Sequence, residues 1–187
     1  MKGVVFTTLG RMVEERFGLT AWDAVLADAD PASGGAYTAS ASYDDAELFA
    51  IVGALAARTG TAPTDLVRAF GEYLLHEFAR CYPEFFRYAP DAKTFLRTVG
   101  AAVHVEVNKL SPDAVLPKFV YRDTAPDRLE MEYRSPRRLC ALAEGLIAGT
   151  AAHFRIGIET RQSRCVLRGD DHCCFDLRFH EVAHAAA

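Results

Sequence analysis

The stretch LEMEYRSPRRLC, residues 129–140, alternates apolar and charged side chains and then changes character at Ser135 and Pro136. The alternation predicts a strand with Tyr133 on its inner face. Serine followed by proline is typical of a helix start, so we expect a helix over residues 136–152 with Ser135 as its N-cap. Tyr133, Ser135 and Arg137 would then lie beside a helix N-terminus, where a carboxylate is stabilised.

Helical patterns precede this strand, and short strands surround it. Apolar residues at helical spacing predict helices over residues 2–17, 21–28, 42–60, 62–82 and 90–110. The last of these carries an apolar stripe of Phe95, Val99, Val103, Val107 and Leu110, and Pro112 ends it. Alternating segments predict an antiparallel sheet of residues 118–123, 128–135, 155–168 and 173–179. The pattern is that of an α+β protein.

Composition narrows the function classes. The chain has 187 residues, 50% of them hydrophobic, and a net charge of −4, which gives no electrostatic reason to expect nucleic acid or an anionic membrane as a partner. The N-terminal residues lack the apolar core of a secretory signal, and no apolar run is long enough to span a membrane. We therefore expect a cytoplasmic protein. Its five cysteines are then metal ligands, redox-active thiols or buried residues rather than disulfides.

His104 lies beside the apolar stripe of its predicted helix. The residues one turn before it are Gly100 and Ala101, which leave room above the imidazole. A single buried histidine is most often hydrogen-bonded to a carbonyl group. With this clearance, it could instead bind the metal of a flat cofactor.

Taken together with the Tyr-x-Ser-x-Arg pattern, His104 makes the chain resemble the haem nitric oxide/oxygen binding family, H-NOX, which includes the sensor domain of soluble guanylate cyclase. The similarity runs from MKGVVF through AWDAVL, YPEFF and LPKF to YRSPR. It implies one H-NOX domain over residues 1–187, with a helical subdomain (1–63) packed on a subdomain that carries a four-stranded antiparallel sheet (64–187).

The resemblance also implies a cofactor, haem b, between the two subdomains. It implies that His104 is the proximal iron ligand and that Tyr133, Ser135 and Arg137 hold the propionates. Two further residues, Val5 and Pro117, match positions that press on the porphyrin. No Cys-x-x-Cys-His motif is present, so we expect the haem to be non-covalent.

Leu142 affects which gases the haem is expected to bind. Family members that bind oxygen stably carry a tyrosine at the matching position, whereas leucine cannot donate a hydrogen bond. The resemblance therefore implies that ferrous haem here binds nitric oxide and carbon monoxide but not stable oxygen. Tyr73 or Tyr82 could supply a donor from elsewhere.

A second group of candidates lies in the C-terminal part of the chain. Cys140, Cys165 and Cys173 match thiolates that bind a structural zinc in some bacterial H-NOX proteins, but Gln162 stands in place of the fourth ligand, a histidine. Cys174 or His172 could complete the site, although neighbours on a strand point to opposite faces. Thiol redox sensing and simple burial are the alternatives, and we expect Cys81 to be buried.

These features predict a sensor rather than an enzyme. Motifs typical of a zinc or thiol hydrolase are missing from the sequence. The resemblance implies that nitric oxide releases His104, that the haem relaxes, and that the change is read by a separate protein, commonly a histidine kinase or a cyclic-di-GMP enzyme. The alternative is a haem-free or zinc/thiol redox-responsive regulatory binding module.

Overall fold

The computed structural model describes residues 1–100, 104, 105, 109 and 114–182. The helices of this part are α1 (Gly3–Phe17), α2 (Leu19–Ala29), α3 (Asp45–Thr59), α4 (Pro63–Cys81), α5 (Glu84–Arg87), α6 (Ala92–Thr98) and α7 (Cys140–Phe154). The strands are β1 (Lys118–Ala125), β2 (Arg128–Arg134), β3 (Ile156–Arg164) and β4 (Cys173–Glu181). None of the described helices is both long enough and apolar enough to cross a membrane.

The four strands form one antiparallel sheet in the order β1-β2-β4-β3. Leu129, Met131 and Tyr133 lie on its inner face and are 1–6% exposed, as the alternation in β2 predicted. The predicted α+β class with a four-stranded antiparallel sheet is confirmed.

The buried side chains form two large hydrophobic cores. The first joins α1, α2, α3 and α4, and Leu66, Phe70 and Leu74 of α4 belong to it. The second lies between the inner face of the sheet, α6 and α7. The division predicted after residue 63 thus falls at the start of a helix that packs into the first core, and the two-subdomain description stays a prediction.

Helices α4 and α7 cross with their backbones in contact. A Cβ atom on Gly145 would lie 2.0 Å from the carbonyl oxygen of Arg68, and one on Gly71 would lie 2.5 Å from that of Leu142. Only glycine fits at such an approach. The crossing therefore fixes which residues of α7 face the rest of the molecule.

The helix predicted over residues 136–152 begins later than expected. The Ser135 hydroxyl accepts a hydrogen bond from the Arg137 amide (3.2 Å), and Arg138 has a left-handed conformation with φ of 55°. These two features make a turn, and α7 begins only at Cys140. The prediction that Ser135 caps the helix was wrong, because its hydroxyl closes a local turn instead.

The helix predicted over residues 90–110 is described only in part. Helix α6 covers Ala92–Thr98, residues 99 and 100 form a π-helical turn, and residues 104, 105 and 109 are helical. Phe95 is buried and Val99 is half-buried, as the apolar stripe predicted. The other predicted features of this segment, at Ala101, Val103, Val107, Leu110 and Pro112, lie outside the described residues.

Candidate functional site

A cavity of about 690 Å³ lies between α4, α6, α7 and the inner face of the sheet. Its lining is largely apolar and aromatic, with Leu75, Phe78, Phe86, Phe95, Leu96, Val99, Met131, Leu139 and Ile147 among the residues that contribute. Four of the residues that the family resemblance implies for the haem site also line it: His104, Pro117, Tyr133 and Leu142. Large apolar cavities with a few polar groups are the usual form of a cofactor site.

The imidazole of His104 is the candidate metal ligand of this cavity. Its ring lies 5.6 Å from that of Phe119, centroid to centroid, at an interplanar angle of 33°. Burial lowers the pKa of His104, and the nearby Pro117 carbonyl offsets this only in part. The buried Nδ1 atom has no hydrogen bond of ordinary geometry to any described residue. Burial therefore favours the neutral form of the ring, which is the form that binds metals.

Two aromatic residues of β1 form the wall beside His104. Phe119 and Tyr121 stack with centroids 5.9 Å apart, and both line the cavity. A Cβ atom on Gly100 would lie 3.5 Å from Phe119 and 3.8 Å from the Tyr121 hydroxyl, so the backbone at Gly100 runs beside this wall with room for a methyl group. Neither aromatic was predicted as a site residue from the sequence, although their alternate placing in KFVYRD could have indicated them.

The wall formed by α4 and α7 is almost wholly apolar. Leu142 and Leu146 line it, and the Thr150 hydroxyl in the same wall donates to the Leu146 carbonyl (2.8 Å). Of the two tyrosines considered as alternative donors, Tyr82 lines the cavity and is 41% exposed, whereas Tyr73 is not part of the lining.

The Tyr-x-Ser-x-Arg residues divide between the cavity and its surroundings. Tyr133 lines the cavity, and burial raises the pKa of its hydroxyl. Arg137 lies outside the lining, where its Nε donates to Asp45 Oδ2 at 2.7 Å and its guanidinium also contacts the Val115 carbonyl. The sequence predicted that this guanidinium would bind the carboxylate of a ligand. In the structure it binds a carboxylate of the same chain, that of Asp45 in α3.

The two residues predicted to press on a porphyrin differ in position. Pro117 lines the cavity. Val5 packs against the first core, and its neighbour Val4 lines the cavity instead. The role of Val5 stays a prediction.

Comparisons with known proteins agree with this architecture. A family model described as Haem-NO-binding matches residues 2–162. The chain belongs to the H-NOX family. An H-NOX protein from Shewanella oneidensis in the Fe(II)NO state is 32% identical with a TM-score of 0.91, over 97% of this chain and all of that one.

Two further H-NOX structures are similar over their whole length. The unliganded Fe(II) protein from K. algicida is 28% identical with a TM-score of 0.88, over 100% of both chains. The protein from Shewanella woodyi, bound to IWP-051 in the Fe(II)CO state, is 31% identical with a TM-score of 0.84, over 100% of this chain and 97% of that one. No curated protein matches. H-NOX domains are haem-based gas sensors.

Three cysteines of this H-NOX chain meet on the inner side of the sheet. The sulfur atoms of Cys140, Cys165 and Cys173 lie within 4.8 Å of one another, and those of Cys140 and Cys165 are 3.7 Å apart. Burial raises the pKa of Cys140 and of Cys173. At Cys165 burial also acts to raise the pKa, but the backbone around Leu167 and the neighbouring cysteines outweigh it and lower the pKa.

The two residues expected to complete this cysteine group do not join it. Cys174 and His172 line a separate pocket on the outer face of the sheet, because successive side chains of β4 alternate between faces. Gln162 lies closer, since it pairs with the inward-facing Phe175 and its side chain contacts the Cys140 thiol. Its amide nitrogen is buried without a hydrogen-bond partner among the described residues. Cys81, expected to be buried, is exposed.

Proposed function

We propose that this H-NOX domain binds one non-covalent b-type haem through His104 and senses nitric oxide in the ferrous state. The observation that carries the proposal is that the His104 imidazole and Leu142 line the same apolar cavity of about 690 Å³. Its volume lies within the range of roughly 300–1,000 Å³ that is usual for ligand sites. A flat apolar macrocycle suits such a lining, so the residues present fit the group.

Tyr133, Ser135 and Arg137 are the proposed partners of the haem propionates. Tyr133 reaches the cavity directly, whereas Arg137 would exchange the Asp45 carboxylate for a propionate. Such an exchange keeps one charge-assisted hydrogen bond and replaces its acceptor. Pro117 and Val5 are the residues proposed to press on the ring.

Leu142 sets the proposed preference for nitric oxide and carbon monoxide over oxygen. Stable binding of oxygen needs a hydrogen-bond donor near the bound gas. The leucine side chain offers none, and the Thr150 hydroxyl already donates to a carbonyl group. The exposed position of Tyr82 at the cavity favours a role at the entrance rather than beside the ligand.

The proposed signal is a change in the relative orientation of the two lobes, which are the N-terminal helical subdomain and the subdomain that carries the sheet. His104 would hold the ferrous iron that bound haem supplies, and nitric oxide would bind to that iron and release the histidine. Val5, Pro117 and Arg137 couple that release to the N-terminal helices, and nitric oxide acts by favouring one of two arrangements.

A separate protein would read this change. We propose a histidine kinase or a cyclic-di-GMP enzyme in the cytoplasm, as the family resemblance implies, and no catalytic role for the domain itself. Neither nucleic acid nor a membrane is part of this proposal.

We also propose a zinc site at Cys140, Cys165 and Cys173, on a different observation. Three buried sulfur atoms within 4.8 Å of one another suit a tetrahedral zinc ion. They supply three ligands, and Gln162 occupies the place where a fourth would approach. Without zinc, the 3.7 Å separation of Cys140 and Cys165 supports thiol redox chemistry as the second role of this group.

A visible absorption spectrum tests the haem proposal most directly. Protein expressed with adequate haem should show a strong Soret band whose ferrous form shifts on addition of nitric oxide. A protein that stays colourless after incubation with haem would contradict the proposal and would favour a haem-free or thiol-responsive binding module.

A further inference from the structure

The C-terminal half of strand β1 contacts helix α6. Asp123 pairs with Lys93 at 2.7 Å and with Arg97 at 2.6 Å. Lys93 also donates a hydrogen bond to the Ala125 carbonyl (2.8 Å), and Phe95 of the same helix is buried. These contacts set the position of α6 relative to the strand.

Two further residues of β1 follow the chain from α6 toward His104. Tyr121 lies two residues before Asp123, and its hydroxyl is 3.8 Å from the position that a Cβ atom on Gly100 would occupy. Phe119 lies two residues earlier again, and its ring is 5.6 Å from that of His104, centroid to centroid. Because side chains of a strand alternate, these residues share one face of β1. The strand therefore runs beside the helical segment in the opposite direction and contacts it at successive turns.

A π-helical turn lies between α6 and His104. Val99 and Gly100 adopt this conformation, which is rare in proteins and frequent at functional sites. A π-helical turn is wound more widely than an α-helix, so it changes the direction in which the side chains after it point. The contacts that hold the turn at Gly100 therefore influence where the His104 imidazole points.

The Tyr121 hydroxyl is a buried polar group beside this turn. Its ring stacks on Phe119, but its oxygen has no hydrogen bond of ordinary geometry to any described residue. Burial raises the pKa of Tyr121, and the Gly100 amide, which approaches the oxygen, offsets this only in part. A phenylalanine would supply the same ring without the cost of burying a hydroxyl. The hydroxyl therefore needs an explanation other than stability.

We infer that Tyr121 is a positioning residue for His104, because its hydroxyl contacts the Gly100 backbone and holds the π-helical turn in the orientation that directs the imidazole into the cavity. The inference rests on the proposed role of His104 as the iron ligand. The groups that orient a metal-bound imidazole affect the strength of its bond to the metal. Tyr121 thereby affects how readily nitric oxide releases the histidine.

Tyr121→Phe tests the inference, because it keeps the ring and removes only the hydroxyl. In ferrous haem-loaded protein, resonance Raman spectroscopy should show a shifted stretching frequency of the bond between iron and His104. Loss of haem to apomyoglobin should be roughly fivefold faster, the effect of about one hydrogen bond. In haem-free protein, hydrogen exchange at the Gly100 amide should be faster, whereas the free energy of unfolding should not fall. Tyr88→Phe is the matched control, since Tyr88 is 83% exposed and is not part of the cavity lining.

Two results would overturn the inference. One is a Tyr121→Phe protein whose iron–histidine frequency and rate of haem loss equal those of Tyr88→Phe. The other is a lower free energy of unfolding with unchanged exchange at Gly100, which would make Tyr121 an ordinary packing residue. A wild-type protein that takes up no haem would instead contradict the proposed function. The exchange rate at Gly100 in the haem-free proteins would then decide whether Tyr121 holds the turn.

Discussion

Arg137 and Asp45 are 92 positions apart in the sequence, and the Nε atom of the arginine donates to Oδ2 of the aspartate at 2.7 Å. This ion pair joins the turn after β2 to the first residue of α3. Burial acts to raise the pKa of Asp45, but Arg137 and the amino group of Met1 outweigh it and lower the pKa below 3.8. The guanidinium proposed to hold a propionate thus already holds a carboxylate of the N-terminal lobe.

The first prediction separates Arg137 from its neighbour. Arg137→Ala should speed the loss of haem to an acceptor such as apomyoglobin by roughly tenfold or more, because a charge-assisted hydrogen bond contributes about 1.5–3 kcal/mol. Arg138→Ala is the matched control, since Arg138 donates to the Val166 carbonyl on the surface (2.8 Å). Equal rates of haem loss in the two variants would contradict a propionate role for Arg137.

The second prediction concerns acid stability. The folded pKa of Asp45 lies below its unfolded value of 3.8, so its contribution is complete above that pH and is lost as the pH falls through the folded pKa. The difference in free energy of unfolding between wild type and Asp45→Asn should be constant near pH 6 and should shrink below about pH 4. Denaturant titrations of the haem-free protein at several pH values measure it, because a bound propionate would take the place of Asp45. The exposed Asp23→Asn is the control, and a difference independent of pH would refute the ion pair.

The third prediction tests His104. His104→Gly should bind haem weakly and regain a wild-type ferrous spectrum when imidazole is added, because free imidazole can replace the missing ring. In the wild-type nitric oxide complex, resonance Raman spectroscopy should show five-coordinate iron. A wild-type complex that stays six-coordinate while its partner is fully regulated would rule out release of His104 as the signal.

The fourth prediction concerns oxygen. Ferrous wild-type protein in air should give no stable oxygen complex, whereas Leu142→Tyr should slow the dissociation of oxygen if its hydroxyl reaches the bound gas. Leu142→Phe is the matched control because it adds the ring without the hydroxyl. Stopped-flow measurement of oxygen dissociation distinguishes the three proteins. A long-lived oxygen complex of wild type would show that another donor reaches the iron.

The fifth prediction concerns the inner cysteines. Cys165→Ser should lose about one equivalent of zinc relative to wild type and should unfold at lower denaturant concentration, because the site joins α7 to the end of β3 and the start of β4. Cys81→Ser is the control, since Cys81 is exposed on α4. If the zinc content of Cys165→Ser is unchanged, the zinc site is wrong, and the three thiols have a redox role or are simply packed in the core.

The sheet was predictable because one buried face imposes a period of two on the sequence. Leu129, Met131 and Tyr133 alternate with charged residues, and any shift of register by one would bury those charges. The start of α7 was not predictable in this way. It depends on one backbone torsion at Arg138 and on the hydroxyl of Ser135, and both are set by local competition that a Ser-Pro pair does not reveal.

The candidate site was predictable only through family resemblance. No local pattern shows that His104, Pro117, Tyr133 and Leu142 line one cavity, because they lie on different elements. The partner of Arg137 could not be predicted from the sequence either. Asp45 looks like an ordinary first-turn acidic residue of α3, and its pairing with Arg137 follows from how the lobes pack.

The close backbone contact at the glycine crossing of α4 and α7 restricts how these two helices can move against each other. At Gly71 and Gly145 backbone meets backbone, so sliding one helix along the other would drive the Gly145 Cα into the chain around Arg68. Turning about the contact keeps that separation unchanged. Leu142 lies on the turn of α7 nearest the start of the helix and faces the cavity, while Leu66, Phe70 and Leu74 of α4 are fixed in the first core. If the proposed signal involves a push on Leu142 from within the cavity, rotation about the glycine contact is the movement of α7 against α4 and the first core that this crossing leaves open.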